Sequence, residues 1–124
     1  MTREFLIPGR TTIIAEIGSC HDGDIEKAEE LVRVAARSGC DVAKMQFCSD
    51  PTAMATRRNH PDLYEFYKKH IVRDPEWISR LKLVADECGI LFGCSTYIPS
   101  DIWAATPIVD MLKISSFESQ DREL

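Results

Sequence analysis

No apolar run in the sequence approaches the roughly 18 residues that a membrane span requires. The opening Met1 to Pro8 also lacks the long apolar stretch of a secretory signal, so the expected setting is cytoplasmic. An excess of cations is missing too: fifteen Lys and Arg stand against twenty Asp and Glu, a formal net charge of -5. That balance disfavours nonspecific binding to nucleic acid or to an anionic membrane, and it leaves any anionic ligand to locally placed cations. The five cysteines, Cys20, Cys40, Cys48, Cys88 and Cys94, are odd in number and form no C-x-x-C pair. Reduced thiols are therefore expected rather than a disulfide framework. Low-complexity tracts, long charge runs and solenoid repeats are absent, so the sequence offers no linker and no second domain.

What remains is a chain of 124 residues, 44% hydrophobic and 28% charged, which is ordinary globular composition. A chain of this size buries roughly two thirds of its unfolded surface, so a core forms without staples. The pattern along it is strand, then helix, repeated. Thr11 to Gly18 is a β-branched run closed by glycine and reads as a buried strand. Asp24 caps a helix carrying Ile25, Ala28, Leu31, Val32, Ala35 and Ala36 at helical spacing, which Gly39 stops. Val42 to Phe47 is a second strand. Residues 49 to 73 form a long connection with a short helix around Leu63 to His70, in which Tyr64, Phe66 and Tyr67 pack against the domain and His60 and His70 are exposed. Asp74-Pro75-Glu76 starts a helix with Trp77, Ile78, Leu81, Val84 and Ala85 on its apolar face, ending at Gly89. Ile90 to Ser95, Ser100 to Ala105 and Val109 to Ser116 read as strand, short helix and strand. Four strands separated by helices imply parallel pairing through right-handed crossovers. The fold class is α/β, either an open doubly wound sheet or the first four β/α units of a partial (β/α)8 TIM barrel. A full barrel takes roughly 200 residues or more, so a barrel of this length is incomplete.

The second strand is the informative one. Its two-residue period puts Ala43, Met45 and Phe47 on one face and Val42, Lys44 and Gln46 on the other. A wet face on an edge strand is the bland explanation. In parallel α/β folds, however, ligands sit at the carboxyl ends of the strands. There the sequence places Glu16, then Lys44 and Gln46, then Ser95 and Thr96, then Lys113, Ser115, Ser116 and Glu118. Charges inside apolar strands are expensive unless paired or solvated. The choice lies between internal ion pairs and a pocket for a phosphate or carboxylate, with lysines as point charges and hydroxyls as donors. The cysteines at three strand ends, with His21, raise a soft-metal reading, but their spacing fits no standard zinc motif and buried cysteine is common as a small hydrophobe.

These residues also carry a resemblance. Ile14-Ala15-Glu16-Ile17-Gly18 followed by His21-Asp22-Gly23-Asp24 resembles the opening of the N-acetylneuraminate (sialic acid) synthase family. Val42-Ala43-Lys44-Met45-Gln46, Gly89 to Tyr97, and Lys113-Ile114-Ser115-Ser116-Phe117-Glu118 are similar to its next three strand motifs, in order. Cys20, Phe47 and Phe117 stand where the family has Asn, Thr and Gly. The resemblance implies a TIM barrel that condenses phosphoenolpyruvate with an N-acetylated amino sugar and water, giving a nonulosonic acid and phosphate. It implies that Lys44 and Lys113 hold the carboxylate and phosphate of phosphoenolpyruvate, with Ser116 and a hydroxyl of Ser95 or Thr96 as further donors. Gln46 and Glu118 would then address the sugar, and Glu16 would serve as acid or base between the substrates, Glu16 and Glu118 forming the catalytic pair. It further implies a divalent metal, manganese or magnesium, whose ligands lie outside this chain, and a homo-oligomer or a complementing barrel half as partner. Two rival readings remain: a Schiff-base aldolase or lyase using Lys44 or Lys113, and a non-catalytic half-barrel that binds an anion.

Overall fold

Strand β1 (Ile14–Gly18) starts later than the β-branched run suggests, because the backbone N–H of Ile13 is taken by the Asp41 carboxylate at 2.8 Å, before the sheet ladder begins. The computed structural model describes residues 4–124; Met1 to Arg3, the start of the opening segment read above, lie outside them. Helix α1 (Ile25–Arg37) begins where expected, Asp24 accepting from the backbone N–H groups of Glu26 and Lys27 at 2.9 and 3.2 Å. Strand β2 (Val42–Gln46) follows.

The long connection holds more structure than its sequence announces. Helix α2 (Pro51–Arg57) is capped by Asp50, a 3-10 turn spans Pro61–Leu63, and α3 (Tyr64–His70) takes the place of the anticipated short helix. Asp50-Pro51 is the same start signal as the Asp74-Pro75 that opens α4 (Pro75–Cys88), so α2 was readable from the same chemistry. Gly89 ends α4 in the left-handed conformation, at φ 79°. Strand β3 (Leu91–Thr96), helix α5 (Pro99–Ala105), strand β4 (Met111–Ile114) and a 3-10 turn over Ser116–Glu118 complete the described chain.

All three strand pairings are parallel and the sheet order is β1-β2-β3-β4. Strand β2 lies between β1 and β3, so the edge-strand explanation of its polar face does not hold. One sheet face packs against α1 and α4 through Ala43, Met45, Phe47, Phe92 and Cys94, with Ala28, Val32, Ile78 and Leu81 opposite them. A second cluster, Cys48, Met54, Ala55, Tyr67, Ile71, Tyr97 and Ile98, seats α2 and α3 against the strand ends. Phe66 takes no part in it and stands 55% exposed, stacked beside His70, which is itself half-buried rather than open. β1 and β4 are the edges of the described sheet, and Ile14, Lys113 and Ile114 are correspondingly exposed.

Candidate functional site

The face of the sheet away from α1 and α4 carries the polar residues. Strand register places Glu16 beside Lys44, Gln46 beside Ser95, and Ser95 beside Lys113. Parallel neighbours in register point to the same side, so these five residues line one surface near the carboxyl ends of the strands. Gly93, beside Lys44, keeps this surface low: a Cβ there would lie 2.7 Å from Met111 Cε and 3.2 Å from Met111 O.

Lys44 is the centre of the group. Its side chain is 4% exposed; the ammonium reaches Glu16 Oε2 at 2.6 Å and Oε1 at 2.8 Å, and it donates to Ser95 Oγ at 2.9 Å. Glu16 is more than half exposed, so the pair is open on one side to incoming solute. Gln46 is half-buried at the end of β2, whereas Lys113 and Ser116 are exposed beside the open edge. Thr96 separates from Ser95: strand alternation puts it on the helix-packed side with Phe92 and Cys94, and its buried Oγ1 has no hydrogen-bond partner among the described residues. Of the Ser95–Thr96 pair, Ser95 is the hydroxyl that meets Lys44.

Glu118 forms a second group with a residue that sequence reasoning missed. Buried at 5% exposure, it receives a bidentate contact from Arg58, at 2.6 Å from Nε to Oε1 and 2.9 Å from Nη2 to Oε2. The Arg58 guanidinium also lies over the rings of Tyr67, Tyr97 and Phe117, at 5.6, 5.1 and 4.8 Å. Burial works against its charge, but Glu118 and the Tyr67 hydroxyl outweigh it and raise the Arg58 pKa. No local pattern marks Arg58, which caps the end of α2 and meets Glu118 only through the fold. This pair lines a cavity of about 510 Å3 together with Arg57 and Asp121. Buried Tyr97, under the Arg58 guanidinium, feels the charges of both groups. Burial pushes its phenol up first, Arg58 opposes, and the carboxylates of both Glu118 and Glu16 add to the rise.

The cysteines do not extend the site. All five are free thiols, and burial pushes Cys48 and Cys94 up to about 12, so neither is a thiolate at neutral pH. Among the described residues no group of three or more His, Cys, Asp or Glu side chains is placed to hold a metal ion. Glu16 and Glu118 are already engaged by Lys44 and Arg58, so the donor set present here does not fit a divalent cation.

Known proteins share this arrangement of elements. The N-acetylneuraminate-9-phosphate synthase of Mus musculus is 32% identical over 106 residues, covering 73% of this chain and 30% of that protein. The pseudaminic acid synthase of Campylobacter jejuni is 30% identical over 125 residues, covering 88% of this chain and 35% of its own length. The chain thus spans about a third of the length of these curated relatives. Among solved structures, the N-acetylneuraminic acid (sialic acid) synthetase of Leptospira borgpetersenii superposes with a TM-score of 0.73 at 22% identity, over 95% of this chain and 43% of that one. The fold is α/β, and the four-stranded sheet corresponds to part of a TIM barrel. The NeuB family model matches residues 31–124, well over half of the sequence, and the chain belongs to the NeuB family.

Proposed function

We propose that this chain provides the first four β/α units of a barrel that condenses phosphoenolpyruvate with an N-acetylated amino sugar to a nonulosonic acid, in the cytoplasm. The observation that carries the reading is the buried Lys44 ammonium held between Glu16 and Ser95 on the open face of the sheet. The ammonium faces both Glu16 oxygens and Ser95 Oγ, so a substrate oxygen gains it by displacing or sharing the Glu16 carboxylate, which is more than half exposed. Lys113, one strand beyond Ser95, supplies a second cation on the same surface. In the reaction the methylene carbon of phosphoenolpyruvate bonds to the sugar aldehyde carbon, whose oxygen takes a proton. Water then adds to the resulting phosphorylated oxocarbenium carbon, and phosphate leaves as the keto acid forms. Fixed cations hold the anionic substrate and Glu16 moves the proton, while Gln46 and Glu118 address the sugar. No group of three or more His, Cys, Asp or Glu side chains among the described residues is placed to hold the divalent metal that the family resemblance implies, and no step here runs through one. The Schiff-base reading is disfavoured at Lys44, whose ammonium donates to both neighbours and so lacks the free amine such a reaction needs; at Lys113 it rests on the trapping experiment below.

Calorimetry with phosphoenolpyruvate tests the proposal. Saturable binding is expected, weakened roughly tenfold or more by Lys44→Met and by Lys113→Met through loss of a charge-assisted contact. Gln46→Ala should leave that affinity in place and impair only the sugar. Equal binding by wild type and both lysine variants, or a borohydride-trapped pyruvate adduct on either lysine, would overturn the assignment.

A further inference from the structure

Away from the strand face, the turn after β1 and the junction between α3 and α4 enclose a cavity of about 170 Å3. This is below the size of an ordinary drug-like or cofactor pocket, so it suits a small solute. His21 lines it and is 1% exposed. The backbone N–H of Gly23 donates to His21 Nδ1 at 3.0 Å, which assigns the ring proton to Nε2. That Nε2 is buried and has no hydrogen-bond partner among the described residues. Its ring meets Trp77 edge-on, with centroids 5.6 Å apart, so the indole walls the cavity without offering an oxygen acceptor.

The charge around the cavity is lopsided. Lys68, Lys69 and Arg73 line it, and among the described residues none of the three reaches a carboxylate within ion-pair distance. The acid on the lining, Asp74, already accepts the backbone N–H of Glu76 as the cap of α4. A buried donor without an acceptor, beside three cations that form no ion pair among the described residues and outnumber the one carboxylate on the lining, describes a place for an anion that can accept several hydrogen bonds at once. We propose that this cavity is a phosphate-group site, separate from the Lys44 surface, in which Nε2 of His21 and the cations of Lys68, Lys69 and Arg73 donate to the same oxyanion. None of its lining residues belongs to the Glu16–Lys44–Ser95 or Arg58–Glu118 groups.

The test is titration of the full chain with inorganic phosphate, read by calorimetry and by the ¹H–¹⁵N signal of the His21 imidazole. Saturable binding that moves the His21 signal is expected. Glucose 6-phosphate in a parallel titration distinguishes a free ion from a phosphate monoester, and binding of either supports the site. The double substitution K69E/R73E, at two exposed positions, should weaken binding roughly tenfold or more with little change in melting temperature. Lys44→Met should leave it intact. Absence of saturable binding at millimolar phosphate, or binding that survives K69E/R73E but is lost in Lys44→Met, would overturn the proposal. The second outcome places phosphate at the strand ends, so failure here is distinguishable from failure of the synthase reading.

Discussion

Replacing Arg58 with Met removes one half of the Arg58–Glu118 pair and leaves a carboxylate at 5% exposure without its two short contacts. Breaking a buried pair by deleting one partner costs about 3 to 5 kcal/mol. The guanidinium retains 16% side-chain exposure, which places the expected loss near the low end, at about 3 kcal/mol. Loss of the guanidinium's stacking on three rings adds about 0.5 kcal/mol per ring, in part offset by the apolar Met that fills the space. For a chain of this size, 3 kcal/mol corresponds to a fall in melting temperature of roughly 10 °C. Thermal and urea unfolding of wild type, Arg58→Met, Glu118→Gln and the double variant form a cycle. The double variant should be more stable than Arg58→Met alone, because its neutral amide no longer demands a counter-charge. A loss below about 1 kcal/mol in Arg58→Met, or a double variant no more stable than that single one, would refute the account of the pair.

Two further outcomes follow from single positions. Gly93→Ala forces a methyl against Met111, where the flexible Cε can yield but the carbonyl oxygen 3.2 Å away cannot, so a loss of about 1 to 3 kcal/mol is expected in urea unfolding, and an unchanged midpoint contradicts it. His21 is held below its usual pKa, first by burial and then by nearby His70 and Lys27 against the opposing pull of Asp22, so the folded state resists taking the proton that the unfolded chain accepts near pH 6.5. Stability is therefore full above that pH and falls as the solution is acidified towards the folded-state pKa, by up to about 1.4 kcal/mol per pH unit; His21→Phe should flatten this part of the stability curve, and an identical slope in the variant would show that another group carries it.

The fold was legible wherever a local signal sufficed. Asp24 and Asp74 announced helix starts, Gly39 and Gly89 their ends, and the alternation in residues 42 to 47 gave both faces of β2. Strands β1 and β4 are shorter than the runs Thr11 to Gly18 and Val109 to Ser116 that suggest them, since β-branched composition does not say where a ladder begins. At β1 the boundary is set by Asp41, nearly thirty residues away, which takes the Ile13 N–H. Helix α2 carries its start signal in Asp50-Pro51, but the polar, irregular composition around it has the character of a long loop and masks it.

The site divides along the same line. Glu16, Lys44 and Ser95 could be grouped from sequence because parallel strands in register align residues at equivalent depths, and the structure brings the three into contact. Glu118 could be placed at a strand end but not given its partner, because Arg58 arrives from a helix cap sixty residues earlier. Ion pairs of this kind rarely improve on apolar packing, so stability alone does not explain why a central strand keeps a lysine at 4% exposure. The two pairs differ in what they leave free. Arg58 is spent on Glu118 and three rings, and acts on the site by fixing that carboxylate. Lys44 faces a half-exposed carboxylate that a stronger anion can displace or share, and it sits where Gly93 keeps the surface clear. A charge held in place but not closed off is what anion capture requires, and on the function proposed above that distinction favours Lys44 over Arg58 for meeting substrate.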